Sequence, residues 1–219
     1  MKKKSRRAPL TREKVLQAAL KLADKDGLDA VSMRSVARAL KVEAMSLYHH
    51  VVSKEDILHG LTDLVAAEIE LPKENGNWRA EMRTRCLSAH AMLGRHRWAT
   101  MLLISGLNVG PNMIRYVDAT IRCLRAGGFS WALADHAWNA LDSYTYGFTL
   151  QNQNFPIDPS EYRLAAQTFI HMVPAETFPG MNGMSQEIID GRHDGRHSLE
   201  LGLDLLLDGF ERLKDSRSR

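Results

Sequence analysis

Between Ser32 and His50 the chain has room for two short helices and only three residues, Lys41-Val42-Glu43, to connect them. Helices of two turns joined so tightly are held at one crossing by a few apolar contacts. Val36, Ala37 and Leu40 supply them from the first helix, Val42 from the turn and Leu47 from the second, with Ala37 small where the two must approach. A longer helix comes before, from Thr11, with Val15, Ala19, Leu22 and Ala23 at helical spacing and Gly27 to end it. Another follows: Ser53 and Asp56 have capping-box spacing and open a helix to about Glu70. This order is that of a helix-turn-helix, whose second short helix offers its outer face to the major groove of DNA.

That outer face consists of Ala44, Met45, Ser46, Tyr48, His49 and His50. Hydroxyls, imidazoles and small apolar groups suit base edges, thymine methyls and phosphate oxygens. Arg34 and Lys54 flank it near helix starts, where cations can neutralise phosphates. Tyr48 has a second reading, as part of the small core. Residues 1–60 carry 13 Lys/Arg against 7 Asp/Glu, and the rest 16 against 19, so +6 sits ahead of −3. The basic block is either a polyanion-binding module or a solvated tail. Lys2, Lys3, Lys4, Arg6 and Arg7 form an arm, unstructured alone, that could lie along a minor groove.

The rest of the chain is patterned as helices, without strand-like alternation or internal repeats, and the fold class is all-α. Leu71-Pro72 and the polar run 73–77 mark the first clear break. The expected organisation is a basic arm over 1–10, a DNA-binding domain over 11–70 and a larger helical bundle over 71–214. Within the last, helices are expected over 78–94 and 98–107, from Gly110-Pro111 to Gly127-Gly128, from Ser130 to about Asn152, from Asp158, and over 195–213. Residues 173–185, with two prolines and two glycines, read as a mobile loop. Two isolated cysteines, Cys86 and Cys123, fit a reducing compartment. No apolar run is long enough to span a membrane, and the basic start has no apolar segment behind it, so no membrane contact and a cytoplasmic location are expected.

The run Leu28-x-x-Val31-Ser32-Met33-Arg34-x-Val36-Ala37-x-x-Leu40-x-Val42-x-x-x-Ser46-Leu47-Tyr48-x-His50-Val51-x-x-Lys54-x-x-Ile57-Leu58 resembles the signature of the tetracycline-repressor (TetR) family. The resemblance implies an all-helical homodimer that binds double-stranded operator DNA and releases it on binding a small-molecule effector. It places Arg34, Met45, Ser46, Tyr48, His49, His50 and Lys54 at DNA-contacting positions, with Tyr48 and Lys54 on the phosphate backbone. Lys41 stands where a glycine is common, which costs strain if φ is positive there. Ala44 replaces a polar base-reading residue of the tetracycline repressor branch, so a different operator is expected.

Past residue 70, Asn77-Trp78, His96-Arg97, 126–130, Tyr146-Gly147-Phe148 and Gly202-Leu203-x-Leu205 are similar to the carboxy-terminal domain of that branch. The metal-binding chemistry is not kept: Leu103 replaces the metal-holding histidine, Gln151 an acidic group, and Glu70 and Arg85 occupy drug-contacting positions. No metal and no cofactor are therefore expected. Cys86, Ala89, His90, Leu103, Leu107, Trp138, Leu141 and Asp142 are candidate lining for an apolar or amphipathic effector, or else ordinary core. Leu199, Leu203, Leu206, Leu207 and Phe210 form a stripe that serves either a dimer interface or the chain's own core. His193 and His197, four apart, have zinc-ligand spacing, but Gly191 and Gly195 interrupt the segment and a polar loop is the alternative. No catalytic residues and no enzymatic activity are expected.

Overall fold

The computed structural model describes residues 9–105 and 110–216, and these hold helices and no strand. Helices α1 (Arg12–Asp26), α2 (Met33–Leu40), α3 (Ala44–Leu47) and α4 (Lys54–Ala66) form the amino-terminal unit. The larger bundle is α5 (Trp78–Arg95), α6 (Ala99–Ser105), α7 (Pro111–Ala126), α8 (Trp131–Asn154), α9 (Tyr162–Phe169), α10 (Pro179–Ile189) and α11 (Leu199–Ser216). The basic arm and Leu107 lie outside the described residues.

Helix starts follow the side chains that can satisfy first-turn amides. Thr11, Ser32, Ser53, Asn77 and Ser130 each accept a backbone N–H three residues on. At Ser32 the box closes in both directions through Ser35. At Ser53 it does not: Asp56 reaches past Ser53 to accept the Val52 N–H at 3.0 Å. α4 ends at Ala66, four residues short of the expected Glu70.

Among the described residues, three apolar clusters form the core. Val15, Ala19, Val36, Ala37, Leu47, Val51, Ile57 and Leu61 make the amino-terminal core. Trp78, Met82, Cys86, Phe129, Leu141, Leu203 and Leu207 belong to the core of the large bundle. A third cluster, including Val65, Ile69, Leu93, Ala99 and Tyr116, fills the junction where α4 meets α5, α6 and α7. Polar contacts reinforce that junction. His96 is flanked by Asp24 at 2.6 Å and Glu68 at 3.1 Å, and the Trp98 indole donates to Asp24. On the other side of α4, Asp63 Oδ1 accepts the Asn112 and Met113 amides at 2.9 and 3.0 Å, capping α7 from a neighbouring helix.

Two expectations are corrected. The expected loop over 173–185 contains the first part of α10, where Pro179 occupies the first turn and α9 packs alongside. The last helix begins at Leu199 rather than Gly195, because Gly191 and Gly195 adopt positive φ and break any helix there. His193 and His197 thus lie in non-helical chain, and among the described residues no three or more His, Cys, Asp or Glu side chains are placed so that they could hold a metal ion.

Candidate nucleic-acid interface and effector region

α3 is one turn long, too short to persist by itself, so its neighbours must hold it. Leu47 and Val51 are buried anchors in the amino-terminal core. Between and before them the chain turns outward: Met45 is 73% exposed and Tyr48 48%, His49 is exposed, and Ala44, Ser46 and His50 are half-buried. Tyr48 is therefore not a core residue. Arg34 projects from the exposed side of α2, and Lys54 sits half-buried at the first position of α4. The turn before α3 contains Lys41 at φ 56°, ψ 46°, the left-handed conformation that glycine adopts without strain.

One contact to this segment had no counterpart among the sequence expectations. Arg12 donates to both carboxylate oxygens of Asp56, at 2.6 and 2.9 Å, and to the His50 carbonyl at 3.3 Å. The Arg12 hydrogen bond, partly offset by burial and aided by the Val52 amide, holds the Asp56 carboxyl below its usual range. Nothing local in sequence links positions 12 and 56.

The candidate effector residues divide by burial. Cys86, Ala89 and Leu141 are fully enclosed and show no open surface. His90, Leu103, Trp138 and Asp142 are half-buried on α5, α6 and α8. His90 Nδ1 pairs with Thr149 Oγ1 at 2.7 Å, and burial lowers its pKa. Asp142 is already engaged: Arg85 Nη1 donates to it at 2.7 Å, the Tyr116 hydroxyl at 2.9 Å and the Trp138 indole at 2.7 Å. Arg85 is fully buried, with a further bond to the Tyr116 hydroxyl. Burial disfavours its charge, but Asp142 and Tyr116 outweigh that and hold the guanidinium well above its ordinary range. Among the described residues Arg85 Nε has no hydrogen-bond partner. In this conformation Arg85 is a core residue and exposes no surface, in contrast to the drug-contacting position the resemblance gave it. Gln151 and Glu70 are exposed.

Of the two readings of the α11 stripe, the packing within the chain matches the intrachain core. Leu199, Leu203, Leu207 and Phe210 are buried within the chain, and Leu206 packs half-buried against the same core. The exposed apolar residues of α11 are Leu201, Leu205 and Leu213.

Comparison with known proteins adds an independent line. Residues 15–61 match the family described as bacterial regulatory proteins, tetR family, and residues 71–213 match the tetracyclin repressor-like, C-terminal domain. An HTH-type transcriptional regulator of Saccharopolyspora erythraea is 36% identical over 147 residues, 66% of this chain and 62% of that protein. The class D tetracycline repressor protein of Escherichia coli is 29% identical, covering 93% of this chain and 90% of its own. Among solved structures, apo ActR from Streptomyces coelicolor superposes with a TM-score of 0.82 at 28% identity, over 96% of this chain and 99% of that one. ActR in complex with actinorhodin gives 0.79 at 29% identity, over 94% and 99%.

Proposed function

The chain belongs to the TetR family of bacterial transcriptional regulators, and on that premise we propose that it is a repressor that binds a palindromic operator as a homodimer and leaves it when a small-molecule effector binds. The observation that carries the reading is the segment 44–50, pinned from below by Leu47 and Val51 while Met45, Tyr48 and His49 face solvent. A helix this short, unable to bury its outer residues in its own chain, suits the major groove. Arg34, Ser46, His50 and Lys54 complete the proposed contact set, and Ala44 offers a methyl to a thymine. The basic residues of the first sixty positions supply the electrostatic attraction to phosphates.

Dimerisation is assigned to α8 and α11, through exposed residues such as Leu201 and Leu205 rather than the buried stripe. Two-fold symmetry then presents two α3 segments to an inverted repeat. The effector enters between α5, α6 and α8, where His90, Leu103 and Trp138 are half-buried. ActR, solved in complex with actinorhodin, supports a small-molecule ligand. Leu103 at the position of the metal-holding histidine supports the same view.

The test is selection of a duplex from a random pool, followed by titration at several salt concentrations. Log affinity falls linearly with log salt, by about 0.9 per phosphate contacted. Tyr48→Ala and Lys54→Ala each weaken binding and leave the oligomeric state unchanged. Absence of any salt-dependent duplex binding rejects the regulator reading; equal loss of dimer and DNA binding rejects the division of labour.

A further inference from the structure

We infer that Arg12 is a positioning residue for the recognition segment, acting through Asp56 and the chain that leaves α3 rather than by touching DNA. The inference rests on the reading that residues 44–50 face an operator.

A one-turn helix makes too few internal hydrogen bonds to define its own exit path. After Leu47 the chain passes through a turn to Ser53 at the start of α4, and the direction of that turn decides where Tyr48, His49 and His50 point. The His50 and Val51 amides are met by the Leu47 carbonyl. The His50 carbonyl and the Val52 amide face outward from that turn, and they are met by Arg12 and Asp56. Arg12 and Asp56 are also bonded to each other by two nitrogens and two oxygens, the planar pairing that fixes orientation as well as distance. Three elements therefore meet at one clasp: the first residue of α1, the turn after α3 and the first turn of α4. Asp56 is doubly suited to its place, because a carboxylate in a helix's first turn is also stabilised by the helix dipole.

An exposed ion pair contributes little alone, and Arg12 and Asp56 are 45% and 23% exposed. What gives this one leverage is its hold on two backbone groups of the turn that leaves α3. Arg12, a cation at the amino-terminal end of α1, is also open to a rival role as a direct phosphate contact, and the two roles give opposite responses at Asp56.

The test uses the full-length protein and the tightest duplex recovered from a random pool, labelled with fluorescein and read by anisotropy. Arg12→Ala and Asp56→Ala are each expected to weaken binding about three- to tenfold. The double variant is expected to be no weaker than the worse single one, since both remove one clasp. The salt slope stays within about 0.3 of the parent, because no phosphate contact is lost. Arg12→Lys, which keeps the charge without the paired geometry, recovers only part of the affinity. If Arg12→Ala instead lowers the slope by about 0.9 while Asp56→Ala leaves binding equal or tighter, Arg12 is a phosphate contact and the inference is overturned. Unchanged affinity in both variants overturns it too. Should the alanine variants lose the folded amino-terminal unit, Asp56→Asn, which retains an acceptor for the Val52 amide, replaces them with the same expected signs. Failure of the parent protein to bind any duplex is the separate outcome that rejects the regulator reading itself.

Discussion

The cap that α4 provides to α7 can be broken from either side, and the two ways of breaking it should not add. Asp63 accepts two first-turn amides of α7 and the Asn112 side-chain amide at 3.0 Å, while Gly110, the residue before α7, contributes no side-chain cap. Asp63→Ala removes an acceptor from both amides. Loss of a helix cap costs about 1 kcal/mol, and the charge-assisted bonds and the favourable helix dipole raise the total to roughly 2–3 kcal/mol. Gly110→Ala attacks the same contact differently. Its backbone, at φ −67°, accepts alanine, but the new Cβ would lie 2.2 Å from Asp63 Oδ1, 2.3 Å from its Cγ and 2.6 Å from its Cβ, so the carboxylate must swing away and α4 must give slightly at Asp63. The lost cap is offset in part by about 0.4–1 kcal/mol from the stiffer unfolded chain. The net cost of Gly110→Ala is therefore roughly 1–2.5 kcal/mol. In a chain this size each kcal/mol moves Tm by about 2–4 °C. Urea unfolding of both single variants and the double variant closes the cycle, and a coupling of about 1 kcal/mol or more is expected because both remove one interaction. Losses that simply sum, or a Gly110→Ala variant as stable as the parent, would refute the reasoning.

Other outcomes follow from the same structure. Asp142→Ala leaves the fully buried Arg85 without its counter-charge and should cost about 3–5 kcal/mol in urea unfolding, whereas Arg85→Met combined with Asp142→Asn should recover most of that loss. Lys41→Gly removes left-handed strain of about 1–2 kcal/mol and returns part of it as unfolded-state entropy, so a small rise in Tm is expected on calorimetry. The Asp56 carboxyl lies below its ordinary 3.8, chiefly through Arg12, so its contribution is fully present above about pH 4 and disappears as pH falls through the lower folded value. Acid titration of stability should thus show parent and Arg12→Ala converging below pH 4; a constant gap down to pH 2 contradicts this. Cys123 is buried, with its thiol pushed up to about 11, so a thiol reagent should label it only after unfolding.

The legible parts of the fold were those with local causes. Ser32, Ser53 and Ser130 announce helix starts because a side-chain oxygen satisfies an amide three residues away. The turn at Lys41 shows in the short gap between two apolar patterns. The outward face of residues 44–50 follows from Leu47 being the one residue that must point in. What depended on distant partners was hidden. The α11 stripe was visible, but a stripe does not say whether its partner is α8 of the same chain or a second chain. Residues 179–189 form a helix despite two glycines because α9 packs against them, a contact that propensity does not record. The Arg12–Asp56 pair spans 44 positions and leaves no local trace. Arg85 did leave one: it falls on the inward phase of α5 with Met82, Cys86, Ala89 and Leu93, and a charged residue on an apolar stripe implies a buried counter-ion.

The brevity of α3 carries a consequence for how such a protein changes its target. Its stability within the amino-terminal unit is vested in Leu47 and Val51, while Met45, Tyr48 and His49 face outward and touch little of the core. The outward residues can therefore be exchanged with small effect on folding, usually within about 0.5 kcal/mol for surface positions. With segment 44–50 reading DNA as proposed, recognition can drift almost free of foldedness, so descendants of one sequence could acquire new addresses on a chromosome by a handful of substitutions while the scaffold beneath stays the same.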